Sequence, residues 1–137
     1  MSTAGKELRL VVVTPETTVL DQPVQALRFP LYDGQIGVLP GRAPLVGRLG
    51  YGELKVTTAE GDRSYFIDGG FVQVKGAVVS ILTARSIPAD QIDVDEAQQQ
   101  LAQAFERRAT TEAELAAKHR DLERARRLRA LGQKSMA

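Results

Sequence analysis

Apolar and polar positions follow two different rhythms along this chain. Up to about residue 88 the rhythm is that of strands. Leu8-Arg9-Leu10-Val11-Val12-Val13 is rich in β-branched residues, which suit a pleated surface, and Pro15 breaks the run. Val24 to Leu31 predicts a further extended stretch with Gln25, Leu27, Phe29 and Leu31 on one side. Pro23 and Pro30 place that stretch at an edge or a bulge. Glu53 to Thr58 alternates polar residues with apolar ones or Thr. It turns at Ala59-Glu60-Gly61-Asp62 and returns through Ser64-Tyr65-Phe66-Ile67. Phe71 to Val74 and Val78 to Leu82 flank Lys75-Gly76-Ala77, which predicts a second hairpin. Many short strands separated by regular turns predict an all-β sandwich or barrel.

Beyond Ile87-Pro88-Ala89-Asp90 the period changes to that of helices. Asp93 with Glu96 three residues later is a start signal, and Ala97, Leu101, Ala104 and Phe105 follow at helical spacing. Thr111-Glu112-Ala113-Glu114 is a second capping pattern. The helix it opens is expected to run to about Leu131 and to end at Gly132. The short linker from Arg107 to Thr110 predicts an antiparallel helical hairpin. Its seam is thin. Leu115 and Leu122 share a face flanked by Lys118, His119, Arg126 and Arg129, while Leu128 and Leu131 drift to another side. Alanine fills much of the rest and buries little area. The hairpin is therefore expected to be marginal alone and able to leave the sandwich for a better surface.

Composition sharpens the division. Eleven of the twelve glycines lie at or before Gly76, and all six prolines at or before Pro88. The last third is rich in strong helix formers. The net charge of +1 hides a gradient. Residues 118–137 carry seven basic and two acidic side chains, whereas residues 91–117 carry two basic and six acidic. There is no cysteine, so disulfides and thiolate metal sites are excluded. No apolar run approaches a membrane span, and MSTAGKE shows no leader, so a soluble intracellular chain without membrane insertion is expected.

Catalytic chemistry is hard to assemble from these residues. There is no GxxxxGK[ST] loop and no GxSxG, and Gly50-Tyr51-Gly52 lacks the third glycine of a dinucleotide fingerprint because position 55 is Lys. His119 is the single histidine, on a charged helical face, where a solvated surface role is expected. No metal site is expected. A nucleic-acid-binding module with a basic tail is disfavoured, because no aromatics interleave with the tail's cations and residues 1–90 carry nine basic and nine acidic groups.

Residues 33–47 read DGQIGVLPGRAPLVG, with four glycines and two prolines. By turn chemistry they are corners where strands change direction. Arg42 between Gly41 and Ala43-Pro44 is an exposed guanidinium on a rigid loop, suited to a partner carboxylate. The stretch resembles the signature of the epsilon subunit of F-type ATP synthases, D/E-G-E-I/L-G-I/V-L-P-G-H-A-P-L. Val12-Val13-Thr14-Pro15-Glu16 is similar to that family's opening strand and turn, and Ile67-Asp68-Gly69-Gly70-Phe71-Val72-Gln73-Val74 to its S-G-G-F/I segment.

The resemblance implies a mostly β plus α fold. It has a flattened ten-stranded β-sandwich over residues 1–88 and an antiparallel α-helical hairpin over 89–137. It implies a non-catalytic central-stalk rotor subunit, peripheral on the cytoplasmic side of the bacterial inner membrane. The sandwich would bind the γ subunit and rest on the c-ring. The hairpin would fold or extend, and when extended would restrain ATP hydrolysis. A purely structural subunit without inhibitory activity is the alternative. By the same resemblance Tyr32, Asp33, Gly34 and Gln35 would face the c-ring, with Gln35 replacing the usual acidic residue. Arg42 would stand on the γ-facing side, where histidine is common. The nucleotide motif I/L-D-x-x-R-A reads Ile92-Asp93-Val94-Asp95-Glu96-Ala97 here. Glu96 in place of arginine would repel a phosphate, so no cofactor and weak or absent ATP binding are expected. Arg124, Arg126, Arg127 and Arg129 would meet acidic segments of the α/β ring.

Overall fold

A computed structural model describes residues 7–136; the MSTAGK start lies outside them. The chain divides into two compact units, one ending at Ile87 and the other beginning at Pro88.

The first unit holds eight strands: β1 (Leu8–Val13), β2 (Thr18–Val24), β3 (Ala26–Leu31), β4 (Gly34–Val38), β5 (Leu45–Thr58), β6 (Gly61–Lys75), β7 (Val78–Leu82) and β8 (Ser86–Pro88). They form one open sheet in the order β2-β1-β7-β6-β5-β3-β4, with β8 paired to β6. Ten strands were expected. The described residues hold eight because β5 and β6 are long, 14 and 15 residues, and pair continuously from Leu45↔Val74 to Thr58↔Gly61. One end of this ribbon carries β7 and β1, and the other carries β3 and β4. β2 approaches β5 although three strands lie between them in the hydrogen-bond order, so the sheet folds over on itself as a sandwich.

Burial follows the alternation expected of strands. Leu8, Leu10 and Val12 from β1 meet Leu27, Phe29, Val38, Leu54, Val56, Val72, Val74, Val79 and Ile81 in one core. Both proline expectations match. Pro23 lies on β2, the edge strand, and Pro30 lies where the register of β3 against β5 shifts between Arg28 and Leu31. The expected single stretch from Val24 to Leu31 instead breaks at Gln25. That residue is exposed and donates its backbone N–H to the Thr57 carbonyl at 2.8 Å. Gly70 is fixed by close approach. Its φ is +111°, and a Cβ there would lie 1.8 Å from the Leu82 carbonyl oxygen.

The second unit begins with a short 3-10 turn (Ala89–Gln91), followed by α1 (Val94–Glu106) and α2 (Glu112–Met136). α2 packs along α1 and against the 3-10 turn. Asp93 caps α1 by accepting the Glu96 N–H at 3.0 Å, and Thr111 accepts the Glu114 N–H at 3.1 Å. Hydrogen bonds from Thr111 and then Thr110 hold the Glu114 carboxyl below the usual glutamate range.

Two helical expectations are corrected. Gly132 does not end α2, which continues to Met136. Gly132 is instead buried, and a Cβ there would lie 2.8 Å from Ile92 Cγ2 and 2.9 Å from Val94 Cγ2. Its absent side chain, not its backbone freedom, is what the packing uses. The seam is also different. Leu122, Ala125, Leu128 and Leu131 are buried with Ala97 and Ala104, whereas Leu115 and Phe105 are exposed. Leu128 and Leu131 belong to the buried face because that face is wider than the narrow stripe read through Leu115 and Leu122.

Candidate functional site

The corner at residues 33–47 divides into strand and turn. Gly34 to Val38 pairs with β3, so these glycines lie in a strand and not in a loop. Tyr32 and Asp33 form the two-residue tip between Leu31 and Gly34, and Gly34 takes a φ of +146°. The second turn spans residues 39–44, with Gly41 at φ +88°. Leu39, Pro40, Gly41 and Arg42 line a shallow depression of about 290 Å³ there. Tyr32, Asp33, Gly34, Gln35 and Arg42 are all exposed. The fold thus brings the first four together at one hairpin tip and puts Arg42 on a separate turn.

The tip is held in place. The Tyr32 N–H donates to the Arg48 carbonyl at 2.8 Å, and the Arg48 guanidinium lies 4.9 Å from the centre of the Tyr32 ring. Arg48 in turn faces Phe71 across the β5–β6 pair, and Phe71 faces Leu82 across β6–β7. Val46 is two residues from Arg48 on the same side of β5. Val46, Phe71 and Leu82 are 75%, 61% and 52% exposed. The outer face of this ribbon therefore carries a row of large apolar side chains, which solvent alone does not favour.

Sequence reasoning did not single out that row. A signal for it exists. In β6 the inward residues are Val72 and Val74, so Phe71 falls in the polar register of Gln73 and Lys75. A large aromatic in the outward register of a half-buried strand is the signal for such an exposed apolar row.

The basic helix is less open than its charge implies. Arg124 donates to Asp121 at 3.1 Å, Arg127 to Glu123 at 2.8 Å, and Arg129 to Gln98 at 3.0 Å. Arg107 in the linker also reaches Asp121, at 2.8 Å. Arg126 is exposed. At about 100° per residue the four arginines spread around α2 and do not share one face. Ile92, Asp93, Glu96 and Ala97 are occupied structurally. Ile92 packs on Gly132, Asp93 caps α1, Glu96 accepts from Gln100, and Ala97 is buried. His119 is exposed. Among the described residues no group of His, Cys, Asp or Glu is placed to hold a metal, and no helix is long and apolar enough to cross a membrane.

Comparison with known proteins agrees with this architecture. Residues 7–89 match the family model for the ATP synthase delta/epsilon chain, β-sandwich domain. The chain is 48% identical over 119 residues to the ATP synthase epsilon chain of Rhodopirellula baltica, covering 87% of this chain and 93% of that one. It is 35% identical over 92 residues to the sodium ion specific epsilon chain of Propionigenium modestum, 67% of each chain. A chain in the Euglena gracilis mitochondrial ATP synthase superposes with a TM-score of 0.82 at 29% identity, over 91% of this chain and 81% of that one. A chain of the Tetrahymena thermophila mitochondrial enzyme shares the fold, with a TM-score of 0.72 at 14% identity, over 91% and 96%. A strand-built unit with an apolar outer face, a two-helix unit and these matches give one conclusion: the chain belongs to the ATP synthase epsilon chain family, whose members are non-catalytic subunits.

Proposed function

We propose that this chain works in the central stalk of an ATP synthase, joining the γ subunit to the c-ring and restraining ATP hydrolysis through its helical unit. The observation that carries the reading is the exposed row Val46, Phe71 and Leu82. An apolar sheet face of this kind is a protein-docking surface, and γ is the partner. The Euglena gracilis neighbour comes from a structure of OSCP, F1 and the c-ring, which supports a place in the rotor assembly. Arg42 adds a fixed cation for a γ carboxylate. Tyr32, Asp33, Gly34 and Gln35 form the projecting tip offered to the c-ring, with Asp33 its only carboxylate. The complex would be peripheral, on the cytoplasmic side of a bacterial inner membrane.

The helical unit supplies the regulatory part. Arg124–Asp121 and Arg127–Glu123 are pairs within α2, so they survive if the hairpin opens. Arg129–Gln98 and Arg107–Asp121 reach outside α2 and do not. Opening therefore releases Arg129 and leaves Arg126 available for acidic segments of the α/β ring. ATP has little to hold it folded, because Asp93 is spent on capping and Glu96 carries the wrong charge. Binding of ATP to the chain is expected to be weak or absent, and calorimetry showing micromolar affinity would contradict this.

The test is co-purification with γ, then an ATPase assay of the assembled head with the full chain and with a chain ending at residue 88. The reading expects co-purification in both cases and faster hydrolysis with the shortened chain. Failure to co-purify would remove the stalk role, and equal hydrolysis would leave only the structural one.

A further inference from the structure

The apolar row has a cation set into it. Arg48 lies on β5 beside Val46 and opposite Phe71, and it projects from the same face. It forms no ion pair with any described carboxylate. Its guanidinium rests over the Tyr32 ring at 4.9 Å, and the Tyr32 N–H is bonded to the Arg48 carbonyl. Stacking holds the planar group in one orientation and leaves its N–H edge open. In the free chain, water solvates that edge.

Any surface that covers Val46, Phe71 and Leu82 must also cover Arg48. Covering a guanidinium without a partner carries a large desolvation penalty, and a carboxylate in fork geometry offsets it. We propose that Arg48 is a specificity-determining residue of this face, and that the γ surface seated there presents an Asp or Glu side chain to it. This rests on the reading that the face docks γ. It adds that the contact is an apolar patch with one enclosed ion pair, with the Tyr32 ring as the platform that orients the cation.

The experiment measures association and dissociation rates of the full chain with the catalytic head containing γ and lacking the c-ring. The omission matters because Tyr32 is also assigned to the c-ring side. Arg48 and Phe71 are exposed, so Arg48→Met and Phe71→Gln should leave the fold intact, which circular dichroism and a thermal melt check. Phe71→Gln should weaken binding at least tenfold. Arg48→Met should also weaken it at least tenfold, mainly through faster dissociation, because it leaves an enclosed carboxylate unpaired. Arg48→Lys should recover part of the loss, since an ammonium lacks the fork. Tyr32→Leu should give a smaller loss in the same direction. If Arg48→Met changes only the association rate, or nothing, while Phe71→Gln weakens binding, Arg48 is a rim charge and the proposal fails with the docking face intact. If Phe71→Gln binds like the parent, the docking reading fails and the proposal with it.

Discussion

The two units of this chain solve the same problem with different means. The sandwich closes over large side chains: Leu10, Val12, Phe29, Leu54, Val56 and Ile81 are all completely buried. The helical unit closes over three leucines, four alanines and one glycine, and supplements them with polar ties at Asp93, Asp121 and Gln98. Leucine and phenylalanine side chains contribute about 1.5–3 kcal/mol each on burial, and alanine far less. A unit that rests on alanines and exposed ion pairs is held by many small terms, and small terms can be exchanged for contacts with a partner. The difference in side-chain size predicts a more stable first unit and a second unit that opens more readily.

The comparison breaks most visibly in the sandwich. Gly70→Ala puts a methyl group into the Leu82 backbone at an already positive φ, so a loss above about 3 kcal/mol is expected in chemical denaturation. Phe29→Ala is expected to lose about 3–5 kcal/mol by opening a cavity. In the helical unit Leu128→Ala should cost about 2 kcal/mol, and only α1 and α2 amides should lose protection from hydrogen exchange.

Gly132→Ala gives a sharper test because two effects oppose. Alanine raises the helix propensity of α2 by about 1 kcal/mol. Its Cβ also meets the γ-methyls of Ile92 and Val94, whose β-branched side chains cannot swing aside. The packing term is expected to win, with α2 amides losing protection and Val94→Ala in the same chain restoring part of it. A gain in protection from Gly132→Ala alone would show that the close approach is unimportant.

Smaller still is Asp121→Asn. It removes the carboxylate shared by Arg107 and Arg124, both partly exposed, and is expected to change stability by no more than about 1 kcal/mol, less at high salt. The smallest effect belongs to Glu114. Its pKa is lowered in the folded chain by hydrogen bonds from Thr111 and Thr110, so the charged form is the one the fold favours. That contribution is present above the usual glutamate pKa and is lost as the pH falls through the lowered one. Protection of the first turn of α2 should therefore fall only in acid and stay flat from pH 6 to 9. Replacement by Gln should abolish the acid dependence.

Local signals made much of this fold legible. β1 runs over the residues its β-branched run specifies, and Gly61 and Gly76 mark the two hairpins where positive φ is needed. Capping pairs located both helix starts. Three features were hidden. The start of β2, Thr18 to Gln22, carries no strand alternation, because Val19 and Leu20 are adjacent and only partly buried against the core while Thr18 and Asp21 of this edge strand are exposed. β4 was masked by Gly34 and Gly37, which read as turns when taken without a pairing strand. Gly132 looked like a helix terminus because its use is a contact with Ile92 and Val94, some forty residues earlier. At the candidate site, Arg42 and the Tyr32 to Gln35 tip were visible as motif residues. Val46 and Phe71 lie within quoted motifs and Arg48 and Leu82 outside them, but nothing along the chain joined the four, since they meet only through strand register.

Native-state hydrogen exchange on the full chain tests the two-unit claim most directly. Amides of Leu10, Leu54 and Ile81 should exchange only through global unfolding, while those of Leu122 and Leu128 should exchange at least a hundredfold faster through local opening of the helical unit. Equal protection in both sets, falling together with added denaturant, would mean a single cooperative body and would contradict the account.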